Sequence, residues 1–233
     1  MSLTIAIDGP SGSGKSSVSR EVARRLGLAY LDTGAMYRAA TWWCVRNGLE
    51  LTDQPAVAGL VARIPLAMVT DPSGPAVHVD GIDVGEAIRE SAISTAVSAV
   101  ATNLDVRAEL QARQRAVIVA ESAGGFSGGA GVVAEGRDIT TVVAPDADVR
   151  ILLTASEDAR LARRARDVHG ADDAASVDAT RDQVLRRDAD DSTVSSFQVA
   201  ADGVVTVDSS ELDFEQTVQA VLTVVERTVG ASA

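Results

Sequence analysis

Apolar and polar positions along the chain switch repeatedly between a two-residue and a helical period, which predicts strands separated by helices. Residues 3–7 form a short β-branched run ending at Asp8-Gly9 and read as a buried first strand. Residues 16–26 then take helical period, with Val18, Val22, Ala23 and Leu26 on one face and Gly27 as the stop. Residues 29–31 predict a second strand, 34–47 a helix closed by Gly48, and 54–63 another helix. The pattern changes over 64–84. There Pro65, Pro72, Gly74, Pro75 and Gly81 separate three short apolar pieces at 66–69, 76–79 and 82–84, which fits hairpins better than a strand-helix-strand unit. Helical period resumes over 91–100 and 103–120. Residues 123–131 hold five glycines in nine positions and predict a flexible loop. Strands are expected at 132–135, 149–153 and 204–208, and helices at 157–168, 178–191 and 211–227, with a small, polar stretch at 170–176. Strands alternating with helices predict an α/β fold with a central parallel sheet covered on both faces.

Composition narrows what such a fold can do. With 46% hydrophobic but only 3% aromatic residues, the core must be built from Ala, Val, Leu and Ile. The net charge of −12 argues against a nucleic-acid partner, which needs a basic face, but leaves room for a small anion bound by locally converging arginines. Cys44 is the single cysteine, so neither an internal disulfide nor a cysteine metal cluster can form, which suits a reducing compartment. Residues 1–8 lack a basic start and a long apolar stretch and read as a strand rather than a signal peptide, and nothing reaches the length of a membrane span.

Gly9-Pro10-Ser11-Gly12-Ser13-Gly14-Lys15-Ser16 matches the G-x-x-x-x-G-K-[ST] phosphate loop in full, between a predicted strand and a predicted helix as the loop requires. Its glycines let backbone N–H groups turn inward, and the helix N-terminus adds donors and a positive dipole end. Lys15 is expected to bridge β- and γ-phosphates, Ser16 to ligate Mg²⁺, and Ser17 to complete the donor site. The loop alone does not choose among GTPases, motor ATPases and small-molecule kinases. There is no Asn-Lys-x-Asp guanine signature. Phosphoryl transfer needs charge neutralisation, so clustered arginines mark the other half of the site: Arg38, Arg107, Arg137, Arg160, Arg163, Arg164, Arg186 and Arg187. A plainer reading of Arg160, Arg163 and Arg164 is a solvated helix face paired with Glu157 and Asp167.

Three blocks in this order and spacing resemble the bacterial cytidylate kinase family: the loop at Gly9, Leu31-Asp32-Thr33-Gly34-Ala35-Met36-Tyr37-Arg38, and Glu135-Gly136-Arg137-Asp138 followed by Thr140-Thr141-Val142-Val143-Ala144-Pro145. The resemblance runs from about Thr4 to the last helix. It implies a three-layer P-loop fold, with a core of residues 1–63 and 101–229, a small β-rich nucleoside-monophosphate-binding insertion at 64–100, and a short lid at about 160–176. It implies transfer of phosphate from ATP, with Mg²⁺, to CMP or dCMP in pyrimidine metabolism, by a cytoplasmic monomer. Thr33, Tyr37 and Arg38 match the acceptor-binding motif. Arg38 and Arg137 would hold the CMP phosphate, since a guanidinium fork suits a phosphate. Asp138 would accept a hydrogen bond from the cytosine amine, where uracil would present a carbonyl instead. Ser98 and Arg107 match positions that touch the base, Arg187 and Asp191 positions near the sugar, and Arg160 and Arg164 the lid over ATP. The chain departs from the family at Val194, where an arginine is usual; either a phosphate contact is lost or Arg186 replaces it. The alternatives are a P-loop kinase for UMP, AMP or a non-nucleotide alcohol, and a nucleotide-binding switch that transfers nothing.

Overall fold

A computed structural model of the chain describes residues 2–171 and 173–231, the side chains of residues 167–169, 183 and 231 apart. In chain order the elements are β1 (Leu3–Asp8), α1 (Lys15–Leu26), β2 (Ala29–Asp32), α2 (Thr33–Arg46), α3 (Gln54–Val61), β3 (Leu66–Val69), β4 (Ala76–Val79) and β5 (Ile82–Asp83). There follow α4 (Ser91–Ala101), α5 (Leu104–Ser122), β6 (Gly131–Gly136), β7 (Val149–Thr154), α6 (Glu157–His169), α7 (Ala174–Ser192), β8 (Val205–Asp208) and α8 (Phe214–Ala231).

Five strands form one parallel sheet in the order β2-β6-β1-β7-β8, as the alternation of strands and helices predicts. Side chains alternate across it. Ile5, Ile7, Val133, Ile151 and Leu153 face a layer made by α1 and α8, where they meet Val18, Val22, Val218 and Val221. Ala6, Leu31, Val132 and Ala134 face the other way, against Met36, Ile118 and Ile139. The alanines at the centre of that second face let backbone and helix approach closely, which is how a chain with few aromatics still closes its core.

The three apolar pieces between residues 64 and 84 form a separate antiparallel sheet in the order β3-β4-β5. It does not extend the parallel sheet. Val77 and Val79 pack instead into a second core with Ala40, Val57, Val61, Ile88, Val97, Val100, Val106 and Leu110, so α2, α3, α4 and the start of α5 share its interior. Leu66 and Met68 touch both cores and join the two bodies.

Where element ends differ from the sequence reading, a capping side chain decides. Asp32 accepts from the Ala35 N–H and starts α2 at Thr33. Asp173 accepts from the Ser176 N–H at 3.0 Å and starts α7 at Ala174, inside the stretch expected to be irregular. Asp213 and Gln216 form a reciprocal capping box, 2.8 and 3.0 Å, which delays α8 to Phe214. Residue 172 and the side chains of 167–169, part of the expected lid, lie outside the described residues. No described helix is long and apolar enough to cross a membrane.

Gly131 opens β6 at φ 126°, and a Cβ there would stand 2.0 Å from the Leu3 carbonyl oxygen of the neighbouring strand. Gly131→Ala should therefore destabilise the fold by about 3 kcal/mol, read as a lowered urea midpoint at unchanged m-value.

Candidate active site

The phosphate loop lies where β1 ends and α1 begins, at the C-terminal edge of the sheet. Gly12 sits at φ 78° with the Arg160 carbonyl oxygen 2.5 Å from where a Cβ would be, so a side chain there is excluded twice over. Lys15 and Ser16, the first residues of α1, both reach Glu135: Lys15 Nζ is 3.0 Å from one carboxylate oxygen, and Ser16 Oγ donates to the other at 2.6 Å. Glu135 is buried near the end of β6, beside β1, and Tyr30 OH also donates to it at 3.3 Å. This acid is the partner of the loop, and the sequence reading gave it no role of its own.

A cleft of about 1210 Å³ runs from this loop across the ends of the strands to the insertion. Pro10 through Ser17 line one end. Thr33, Tyr37, Arg38, Arg107, Arg137, Asp138, Arg164, Arg187 and Asp191 line the rest, so most of the residues expected to bind donor and acceptor share one space. Arg38 pairs with Asp32 at 3.1 Å. Burial pushes the Asp32 carboxyl up, but Arg38, the Ala35 N–H and Lys15 outweigh it and hold it below the ordinary carboxylate range. Arg137 is gripped by Asp188 and Asp191, each at 2.7 Å. Burial and then the nearby Arg137 and Arg38 lower the Arg187 guanidinium to about 10, which measures how closely these cations crowd. The Nε atoms of Arg38 and Arg187 are buried and have no hydrogen-bond partner among the described residues. Buried donors are nearly always satisfied, so an anion fits this end of the cleft.

At the insertion side, Asp138 is buried and accepts from Arg107 Nη2 at 2.5 Å and Gln111 Nε2 at 2.7 Å. The Arg107 guanidinium lies over the Tyr37 ring, 5.8 Å from its centroid. Two aspartates missed in the sequence hold the halves of the site together. Asp8, one residue before the loop, takes the Ile139 N–H at 2.9 Å and the Thr140 N–H and Oγ1 at 2.8 and 2.6 Å. Those bonds fold residues 139–143 into a single π-helical turn that the periodicity does not announce. Asp188 accepts from the Ser11 N–H at 3.1 Å, from Arg137 and from Arg160. Both aspartates precede or follow recognisable residues, but only their long-range partners distinguish them from surface acids.

Several expected residues are arranged differently. Arg160 turns to Asp188 and to the Ser11 carbonyl oxygen, 3.0 Å away, and does not line the cleft. Arg163 is no solvated helix residue: it donates to Ser13 O at 3.3 Å and to Ser209 Oγ at 2.9 Å, tying α6 to the loop and to the end of β8. Glu157 pairs with Arg181 at 2.8 Å; the side chain of Asp167 is outside the described residues. Ser98 and Arg186 line a smaller cavity of about 350 Å³ between α4 and α7 and not the main cleft, whereas Ser94, one turn earlier, lines both. At the position of the missing arginine, Val194 stays out of the cleft; three residues on, the buried Phe197 ring lies 4.5 Å from the Arg137 guanidinium carbon and supports that side chain. Cys44 is fully buried, and burial pushes its thiol up to about 11, as a packing residue requires.

A parallel sheet in this order, with a full phosphate loop at the edge of its central strand and arginines converging opposite, defines a P-loop phosphotransferase. The comparison with known proteins is narrower. A family model described as cytidylate kinase matches residues 5–227. Proteins named cytidylate kinase are similar along nearly the whole chain: that of Streptomyces avermitilis is 47% identical over 96% of this chain and 93% of its own length, and that of Rhodococcus opacus 50% identical over 98% and 97%. The chain belongs to the cytidylate kinase family.

Burial raises the Asp8 carboxyl from 3.8 to about 6, against the opposing pull of the hydrogen bonds from Thr140 and Ile139. A folded-state value above the unfolded one means that ionising Asp8 is harder in the folded chain, so its contribution to stability is present in acid and is lost as pH rises through 6. Relative to Asp8→Asn, the wild type should lose roughly 3 kcal/mol of stability between pH 3.5 and 7 in urea unfolding, with the Asp8 ¹³C carboxyl signal titrating near pH 6.

Proposed function

We propose that the protein transfers the γ-phosphate of ATP to CMP and dCMP, giving ADP and CDP or dCDP, as a cytoplasmic monomer with Mg²⁺. The observation that carries this reading is the single cleft that joins a complete phosphate loop to buried Arg38 and Arg187 Nε donors, which have no hydrogen-bond partner among the described residues, and to a buried carboxylate. The names of its relatives support the cytidine nucleotide as acceptor. We read residues 64–100 as the insertion that closes over the acceptor, with part of its core borrowed from α2, α3 and α5.

In this reading the loop from Gly9 to Ser17 wraps the ATP phosphates with backbone N–H groups, and Lys15 contacts the β- and γ-phosphates. Asp188 holds the Ser11 N–H, Arg137 and Arg160, so a phosphate beside Ser11 meets arginines already directed toward the loop. Ser16 Oγ and the Glu135 carboxylate, hard oxygen donors 2.6 Å apart, fit a Mg²⁺ ion, which when bound would neutralise charge on the phosphates. Arg38 and Arg137 hold the acceptor phosphate. One of its oxygens, anionic near neutral pH, forms the new bond to the γ-phosphorus as the bond to the β-phosphate oxygen breaks; no general base is needed. Lys15, Arg38, Arg137 and Arg164 spread the charge that develops. Asp138 meets the cytosine 4-amino group, with Arg107 behind it. Arg187 and Asp191, which line the cleft, meet the sugar, and Ser98 the base.

Coupled ADP release, measured with ATP and a panel of nucleoside monophosphates, should rise strongly above the ATP blank with CMP and dCMP and far less with UMP or AMP. Lack of stimulation by CMP or dCMP would falsify the kinase reading. Lys15→Ala should lower kcat by about 10³-fold while circular dichroism and the melting curve stay those of the folded enzyme.

A further inference from the structure

We infer that Gln111 is a positioning residue for base selection, acting through Asp138. The inference rests on the reading of Asp138 as the group that meets the cytosine amine. Gln111 lies on α5 exactly one i,i+4 step beyond Arg107, so the two side chains leave the helix on one face and reach the same acceptor. Both donate to the same oxygen of Asp138: Arg107 Nη2 at 2.5 Å and Gln111 Nε2 at 2.7 Å on Oδ2. Oδ1 has no protein donor among the described residues, and Asp138 lines the cleft.

Two donors on one oxygen do more than one. A single guanidinium contact leaves the carboxylate free to swing about its Cβ–Cγ bond and to present either oxygen to a ligand. A second donor, from a neighbouring turn of the same rigid helix, defines the plane of the carboxylate and keeps Oδ2 occupied. Oδ1 then points one way, as an acceptor only. A 4-amino group satisfies that oxygen. A 4-oxo group in the same place puts two acceptors face to face, and a carboxylate held at two points cannot turn away to relieve the contact. Arg107 is further committed by its second nitrogen, which donates to the Ala101 carbonyl oxygen at 3.2 Å, so it cannot follow a rotating carboxylate. Gln111 is therefore read as the residue that converts a hydrogen-bonding carboxylate into an oriented one. It is only half-buried and does not line the cleft, which fits a residue that acts on the base without touching it.

The test compares kcat and KM for CMP and UMP in the wild type, Gln111→Leu, Gln111→Lys and Asp138→Ala, with ATP saturating. Leucine keeps the bulk of glutamine and suits a helix; lysine keeps a donor within reach of the carboxylate. Gln111→Leu should raise the CMP KM and lower the CMP-to-UMP ratio of kcat/KM about tenfold, with kcat for CMP and the KM for ATP within about twofold of wild type. Gln111→Lys should retain most of the ratio. Asp138→Ala should lower it by more than Gln111→Leu does. If Gln111→Leu keeps the wild-type ratio while Asp138→Ala loses it, the role given to Gln111 is wrong and that of Asp138 stands. If Gln111→Leu lowers kcat/KM for both nucleotides alike, or if Gln111→Lys loses the ratio as fully as leucine does, the side chain is structural and the inference is overturned. If Asp138→Ala keeps the ratio, the reading of Asp138 falls and this inference falls with it.

Discussion

The parallel pairing of β1 with β6 is the contact on which the rest of the site depends. Its register sets Ile7 beside Glu135 and Asp8 beside Gly136, so the phosphate loop and the Arg137-Asp138 pair leave the sheet at the same edge, one strand apart. Three consequences follow from that adjacency. Glu135 reaches Lys15 and Ser16; Asp8 reaches across to the backbone of Ile139 and Thr140; and Arg137 and Asp138, held between those two anchors, project into the cleft. A parallel strand pair cannot slip by one residue without turning Ile5 and Ile7 out of one core and Ala6 out of the other, so the hydrophobic pattern protects the catalytic register.

Electrostatically the site is a set of opposed charges within an acidic protein. The net charge of −12 would repel a nucleotide, yet the cleft concentrates cations. Asp32, Asp188 and Asp191 make that concentration tolerable by pairing with Arg38, Arg137 and Arg160. Such buried pairs add little net stability, because desolvation offsets much of the Coulomb attraction. Their value lies in orientation. Asp32 and Asp191 fix Arg38 and Arg137 along the cleft wall, and Asp188 ties Arg137 and Arg160 to the loop at Ser11, an arrangement that lowers the reorganisation a bound anion would require. The same logic, on a neutral donor, governs Gln111 at Asp138.

Short contiguous patterns were legible. The loop from Gly9 to Ser16, the helix after it, the block from Thr33 to Arg38 and the pair Arg137-Asp138 could each be recognised because their chemistry is written in adjacent residues. Element existence was legible too; the β-rich interruption at 64–84 emerged as a separate antiparallel sheet, as its proline and glycine spacing required. Boundaries were less so, because Asp173 and Asp213 become caps only when the chain beside them takes helical form. Glu135, Asp8, Gln111 and Asp188 are not legible in the sequence, since an acid or an amide there carries no mark of what it faces. Arg160 and Arg163 were recognised as a cluster, but their targets, Asp188, Ser11, Ser13 and Ser209, lie up to 150 positions away.

By itself, then, the sequence determined that this is a parallel α/β protein with a phosphate loop and the blocks at residues 31–38 and 135–138, because periodicity and local motifs depend on neighbours a few positions apart. Tertiary structure decided which carboxylate meets which cation, that Ser94 borders both the cleft and the smaller cavity while Ser98 borders only the latter, and that Phe197 stacks beneath Arg137. Those outcomes depend on strand register and helix packing, which bring together residues that share no local pattern.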